Sequence, residues 1–223
     1  MNLRIITIPL LFFAKSLLAQ TWIPSDYKRF TPEEFFQLAA VHQTINYKQL
    51  DRGLLQAAMF HVTNEVRIKH GLQPLEYSVT IEKVASEHAA DMVKYNFYGH
   101  VSTVKGKKTI SDRLALEGIK KTYFGENISS SIGLQYQEGR QINIPRSGGM
   151  YTYASSRREV ILPHTYLSYA REAVKLWMNS PPHRKNILNP NFTQLGCGAQ
   201  SYSNREFFNV PYLMGVQCFG SEK

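Results

Sequence analysis

The 223 residues include only two cysteines, and neither sits in a papain-like or caspase-like signature, so a cysteine nucleophile is not supported. A Gly-x-Ser-x-Gly elbow is missing, and so is a His-Glu-x-x-His metalloprotease helix, since Glu87-His88 lacks a second histidine one turn on. Acidic residues are scarce beside basic ones, 17 against 26, for a formal charge of +9. The basic residues nevertheless form no dense run with interleaved aromatics, which sets nucleic acid aside as a partner. Repeats and low-complexity tracts are absent as well. With 43% hydrophobic and 19% charged residues, the chain reads as one compact domain with a sizeable core.

The first residues stand apart. Met1-Asn2-Leu3-Arg4 is a short basic start, Ile5 to Ala14 an apolar run, and Leu17-Leu18-Ala19 ends on a small residue. This pattern predicts a signal peptide over residues 1–19 and a mature chain from near Gln20. A membrane anchor fits less well, because Lys15 interrupts a run already shorter than the ~20 residues a spanning helix needs. Nothing later is apolar enough to span a bilayer, so a soluble protein outside the cytoplasm, secreted or periplasmic, is expected. Loss of Arg4 and Lys15 lowers the charge from +9 to +7, which favours anionic surfaces such as lipid headgroups or acidic glycans.

Cys197 and Cys218 lie in short apolar stretches that read as strands. If the polar loop Ser203 to Pro211 folds the chain back, an antiparallel pair brings them opposite each other, and an oxidising compartment would then allow a disulfide. Two separately buried thiols are the alternative.

Thr31-Pro32-Glu33-Glu34 is a helix start, with Thr31 as cap and Glu34 placed to answer it. The helix it opens, to about Val41, belongs to an N-terminal extension, residues 20–52, packed as an arm on a main domain at 53–223. In that domain Leu55, Met59, Val62 and Val66 repeat at helical spacing up to Gly71, and Ile81, Val84, Ala85, His88, Ala89 and Met92 form the stripe of a second helix. A short helix is expected over Ile110 to Glu117 and another over Ser168 to Asn179. Extended pieces are expected near Gln73 to Tyr77, Thr193 to Tyr202 and Tyr212 to Phe219. The class is α+β.

Several short segments come in a fixed order: Asn64-Glu65-Val66-Arg67, Glu87 to Met92, Phe97-Tyr98-Gly99-His100, Gly125-Glu126-Asn127, Trp177-Met178-Asn179-Ser180, His183 to Leu188, and Phe192 to Gly198. Together they resemble the CAP superfamily of cysteine-rich secretory, antigen-five and pathogenesis-related proteins, and most closely its bacterial extracellular branch with an SCP domain. The low cysteine count agrees with that branch. The resemblance implies a three-layer α-β-α sandwich, a small antiparallel sheet flanked by helices. It also implies a central cleft holding His100, Glu126 and His183, with His100 and His183 able to bind a divalent metal such as zinc. His183 is expected on a loop behind a helix-stopping proline pair, and Glu126 on a tight turn braced by Asn127. The second cleft carboxylate of the family falls three residues after Trp177, where this chain has Ser180.

Asn64, Arg67 and Asn186 match family positions and are read as structural support, like Asn127. His88 is expected buried and hydrogen-bonded, and His42, His61, His70 and His164 on the surface. The segment Ser129 to Leu167 is an insert relative to the bacterial pattern, either a hairpin beside the cleft or a mobile surface loop. The function expected from the resemblance is binding of a small apolar ligand, an anionic surface or an extracellular protein. The alternative is a metal-dependent hydrolase of low activity, in which His100, His183 and Glu126 would hold the metal and activate water.

Overall fold

The computed structural model describes residues 22–119, 123–145 and 149–221. The segment read as a signal peptide lies outside the described residues. In chain order the elements are α1 (Pro32–Phe35), α2 (Arg52–Lys69), β1 (Glu76–Tyr77), α3 (Val79–Lys94), α4 (Ile110–Leu116), β2 (Tyr123–Ile132), β3 (Ile142–Asn143), β4 (Thr152–Tyr153), α5 (Tyr166–Asn179), α6 (Pro181–Ile187), β5 (Gln194–Asn204) and β6 (Val210–Ser221). Single 3-10 turns occur at Pro24–Lys28, Ala39–His42 and Arg205–Phe207.

The main sheet has the order β1-β5-β6-β2, with β1 parallel to β5 and the other pairs antiparallel. Side chains alternate across it. Leu195, Cys197, Ala199, Leu213 and Phe219 face α2 and α5, while Ile128, Met214, Val216 and Cys218 face α3. The result is the expected α-β-α sandwich. Helix α3 lies almost flush on β5, because Gly196 and Gly198 have no side chain to hold it away: a Cβ on them would come within 2.1 Å of Glu82 N and 2.2 Å of Ala85 O.

The same alternation overturns the expected disulfide. The β5–β6 hairpin forms as foreseen, but its register pairs Cys197 with Gln217 and Cys218 with Gly196. An offset of one residue puts the two sulfurs on opposite faces of the sheet. Both cysteines are buried and free, and burial pushes both thiol pKa values up.

The N-terminal segment is built into the core. Trp22, Tyr27, Phe35, Phe36, Val41 and Ile45 are buried in one cluster with α2 and α5. Thr31 and Glu34 form the expected capping box, yet α1 ends at Phe35 rather than near Val41. A continuous helix turns about 100° per residue and would have splayed Phe35, Phe36 and Val41 around its axis; the break lets all three bury. His61 stacks on Phe35 with ring centroids 4.2 Å apart. It is therefore buried rather than on the surface, as is His164, whose Nδ1 lies 3.0 Å from Ser168 Oγ at the start of α5.

The insert begins as the end of β2 and continues into the β3–β4 hairpin, where Ile142 pairs with Tyr153. Leu134, Tyr153, Ile161 and Val210 form a small core of their own against the tip of the β5–β6 hairpin. Six residues of strand separate Glu126 from Ile132, about 20 Å, and α5 returns a similar length before His183 is reached. The insert is thus a hairpin at the far end of the sheet, and its ends are not anchored at the cleft.

Candidate functional site

Strand β2 presents Glu126 on its even-numbered face, toward α3 and opposite Cys218. It lies within a ten-residue strand and not on a tight turn. The expectation failed because Gly125 and Asn127 read as turn residues, whereas Gly125 is small to make room: a Cβ there would sit 2.8 Å from the Phe192 ring.

His100 comes from the loop after α3, and its Nδ1 lies 2.8 Å from Glu126 Oε1. Its ring is 57% exposed. With Nδ1 bonded to the carboxylate, Nε2 is the nitrogen left for a ligand. His183 is on α6, not on a loop. Pro181 and Pro182 close α5 and then occupy the first two positions of α6, where a missing N–H leaves no broken bond. The His100 and His183 ring centroids are 6.5 Å apart, with planes inclined at 55°. Burial, and then the nearby His100, hold the His183 pKa below its ordinary value.

Arg113, on α4, has no counterpart in the motifs. It is only 3% exposed, and its Nη2 lies 2.5 Å from Glu126 Oε2. Its Nη1 donates to the carbonyls of His100 and Lys107, both at 3.3 Å. One guanidinium therefore fixes the carboxylate and the loop that carries His100. Burial alone would raise the Glu126 pKa; the hydrogen bond from His100 and the charge of Arg113 outweigh it and hold the carboxyl below its usual value. The only sequence signal for Arg113 is a charged residue beside Leu114 on the apolar side of a short helix.

His88 is fully buried, with Nε2 3.1 Å from Gly99 O and 3.9 Å from Glu126 Oε2. Burial lowers its pKa against the opposing pull of Glu126, so the neutral ring is favoured. Asn127 donates to His183 O at 3.1 Å and to Gln217 Oε1 at 2.9 Å. Asn186 donates to Glu126 O at 3.2 Å and to Asn127 Oδ1 at 2.9 Å. Asn64 exchanges two hydrogen bonds with the backbone of Leu75. Arg67 donates to Gln73 O, Ile187 O and Asn189 O, tying α2 to the end of α6.

The donor set offers a divalent ion two imidazoles. Both oxygens of Glu126 are engaged, by His100 and by Arg113, and among the described residues no group of three or more His, Cys, Asp or Glu side chains is arranged to hold a metal. Ser180, at the position of the family's second carboxylate, joins α5 to α6 and makes no side-chain cap bond.

Among known proteins, the chain is similar to YkwD of Bacillus subtilis, 34% identical over 137 residues, or 61% of this chain and 39% of that one. It is also similar to the membrane protein YlbC of the same species, 30% identical over 147 residues, or 66% and 32%. The chain thus spans only about a third to two fifths of the length of these relatives. Among solved structures, an extracellular protein containing an SCP domain from Bacillus anthracis superposes with a TM-score of 0.51 at 25% identity, covering 79% of this chain and 43% of that one. An outer surface protein from Borrelia burgdorferi gives a TM-score of 0.49 at 18% identity, with 82% and 99% covered. The family described as cysteine-rich secretory proteins matches residues 60–218, from within α2 to within β6, and so takes in every element that builds the cleft. With that match across most of its length, the chain belongs to the CAP family.

Proposed function

We propose that the chain is an extracellular binding protein whose His100/His183 pair holds a divalent cation such as zinc beside the surface that meets its ligand. The observation that carries this reading is the saturation of Glu126. A carboxylate already bonded to His100 and buried against Arg113 is not free to take a proton from water, so the hydrolase reading lacks its base. It does suit the role of a carboxylate that orients a metal-binding histidine from behind. The bound ion would supply a Lewis-acidic anchor for an oxygen or nitrogen of the ligand. Small apolar molecules with one polar group, anionic surfaces and extracellular proteins are the ligand classes that fit a basic chain of this family. Export accords with the extracellular SCP-domain protein it resembles, and no helix among the described residues is long and apolar enough to cross a membrane.

Zinc tests the reading directly. At about a hundredfold excess over Kd, binding stabilises the fold by about 2.7 kcal/mol, or about 5–11 °C in Tm at about 2–4 °C per kcal/mol. Chelation should reverse the shift, and the double variant His100→Ala, His183→Ala should abolish it. Equal stabilisation of that variant would remove the two histidines from the assignment.

A further inference from the structure

Helix α3 stops at Lys94, but β5 and β6 run on beneath it, to Asn204 and from Val210. The α3 face of the sheet is therefore left open between the end of α3 and the insert's small core, which buries Val210 and packs Ile132 and Tyr212, and a groove fills the gap. Its inner part, about 390 Å³, is lined by the buried residues Met92 and Met214 together with Phe97, Tyr98 and Tyr202. Ser130 also lines it, and its hydroxyl lies 2.7 Å from that of Tyr202. Tyr98 is 61% exposed and is held at the rim by its hydroxyl, which donates to Ile128 O at 3.3 Å. Val93, Asn96 and Tyr202 also line a second cavity, of about 650 Å³, so the two run together. That outer part contains Lys94, Arg205 and Glu206, two cations against one carboxylate. Arg205 makes no salt bridge among the described residues, and Lys94 Nζ sits 4.9 Å over the Tyr95 ring.

Concave sites of this size, mostly apolar with a few convergent polar groups, are where small molecules bind. Tyrosine faces stack on flat rings, and methionine sulfur makes favourable contacts with aromatic edges. The outer end adds a net positive charge one side chain away. We propose that this groove is a second binding site, separate from the histidine cleft, for an aromatic anion: its ring lies between Tyr98 and Tyr202 over the two methionines, and its acidic group turns toward Arg205 and Lys94. Four residues of β2 separate Glu126 from Ser130, about 13 Å, so the site does not depend on the cation at His100 and His183.

The probe is 8-anilinonaphthalene-1-sulfonate, added in chelator to the full chain with unlabelled tyrosines and labelled methionine methyls. Expected are saturable fluorescence, movement of the Met92 and Met214 methyl signals with Met59 as the unmoved reference, and weakening as salt rises. Tyr98→Ala should weaken binding about two- to tenfold, and Arg205→Ala should weaken the sulfonate while leaving uncharged N-phenyl-1-naphthylamine unaffected. Both residues are exposed, so the fold survives their loss. The double variant His100→Ala, His183→Ala should bind the probe as the native chain does. The proposal is overturned if the native chain shows no saturable binding, if Met92 and Met214 stay still, if both groove variants keep native affinity, or if the histidine variant loses the probe.

Discussion

Replacing Arg113 by methionine leaves a chain of similar length in the same slot but strands Glu126. The carboxylate is 8% exposed and would keep His100 and the weak donor Cys218 Sγ at 3.8 Å, while losing the guanidinium at 2.5 Å. The carbonyls of His100 and Lys107 would lose their shared donor as well. Removing one member of a buried ion pair costs about 3–5 kcal/mol, which is about 6–20 °C of Tm at about 2–4 °C per kcal/mol. The sign of the pH dependence follows from Glu126. In the native chain its folded pKa is depressed, so its contribution is present above the unfolded carboxyl pKa and is lost as pH falls through the folded value. In Arg113→Met burial meets less opposition and the folded pKa rises. Stability is then kept below the unfolded pKa and lost as pH rises through the new folded one. The gap between the two proteins should therefore be widest at neutral pH and close toward pH 4.

Thermal melts from pH 4 to 8 in chelator measure this. Adding Glu126→Gln to Arg113→Met should recover much of the loss at pH 7, because a neutral amide is cheaper to bury than an unpaired charge. A Tm drop below about 2 °C at pH 7, or a gap that widens on acidification, would falsify the account of Arg113 as the clamp of the cleft.

His61 is buried with its pKa pushed down to about 3 by desolvation. Its contribution is present above the unfolded value of ~6.5 and is lost as pH falls toward the folded one; His61→Phe should flatten the stability profile between those limits in urea titrations, and an unchanged profile would show the acid sensitivity to lie elsewhere. Gly196→Ala would push a methyl into the backbone of Glu82 and Ile81, which cannot swing aside as a side-chain end could. A loss at or above the upper end of the usual ~1–3 kcal/mol for overpacking is expected in denaturant melts, and near-native stability would show that α3 can lift off the sheet. With the cysteines on opposite faces, a thiol reagent should find two thiols in unreduced protein once it is unfolded, and a reductant should leave the Tm in place. Two blocked sulfurs would mean that the β5–β6 register is shifted by one residue.

The helices were legible where a face is apolar at helical spacing. Ile81, Val84, Ala85, His88 and Met92 do line the buried side of α3, and the α4 boundaries expected from Ile110 and Gly118 hold to within a residue. The longest omission is β2, whose Gly125-Glu126-Asn127 core looks like a turn and whose Ser129-Ser130-Ser131 lacks the β-branched residues that signal a strand. Its place is set by β6, which pairs with it across ten residues. No local pattern contains that information, because it belongs to the partner strand.

Register decided the disulfide in the same way. Both strands were visible in the sequence, but whether Cys197 faces Cys218 depends on a single residue of slip in the hairpin, and the loop from Arg205 to Asn209, with Phe208 and Asn209 both at positive φ, sets that slip. The site shows the complementary case. His100, Glu126 and His183 were named from motifs, while Arg113, which holds two of them in place, was not, because a motif records the residues that face a ligand more readily than those behind them. A buried arginine on a short amphipathic helix is energetically out of place unless a carboxylate waits for it. Among the described residues Arg113 forms its salt bridge with Glu126 alone, so the pair could have been suspected once α4 was known to bury that face.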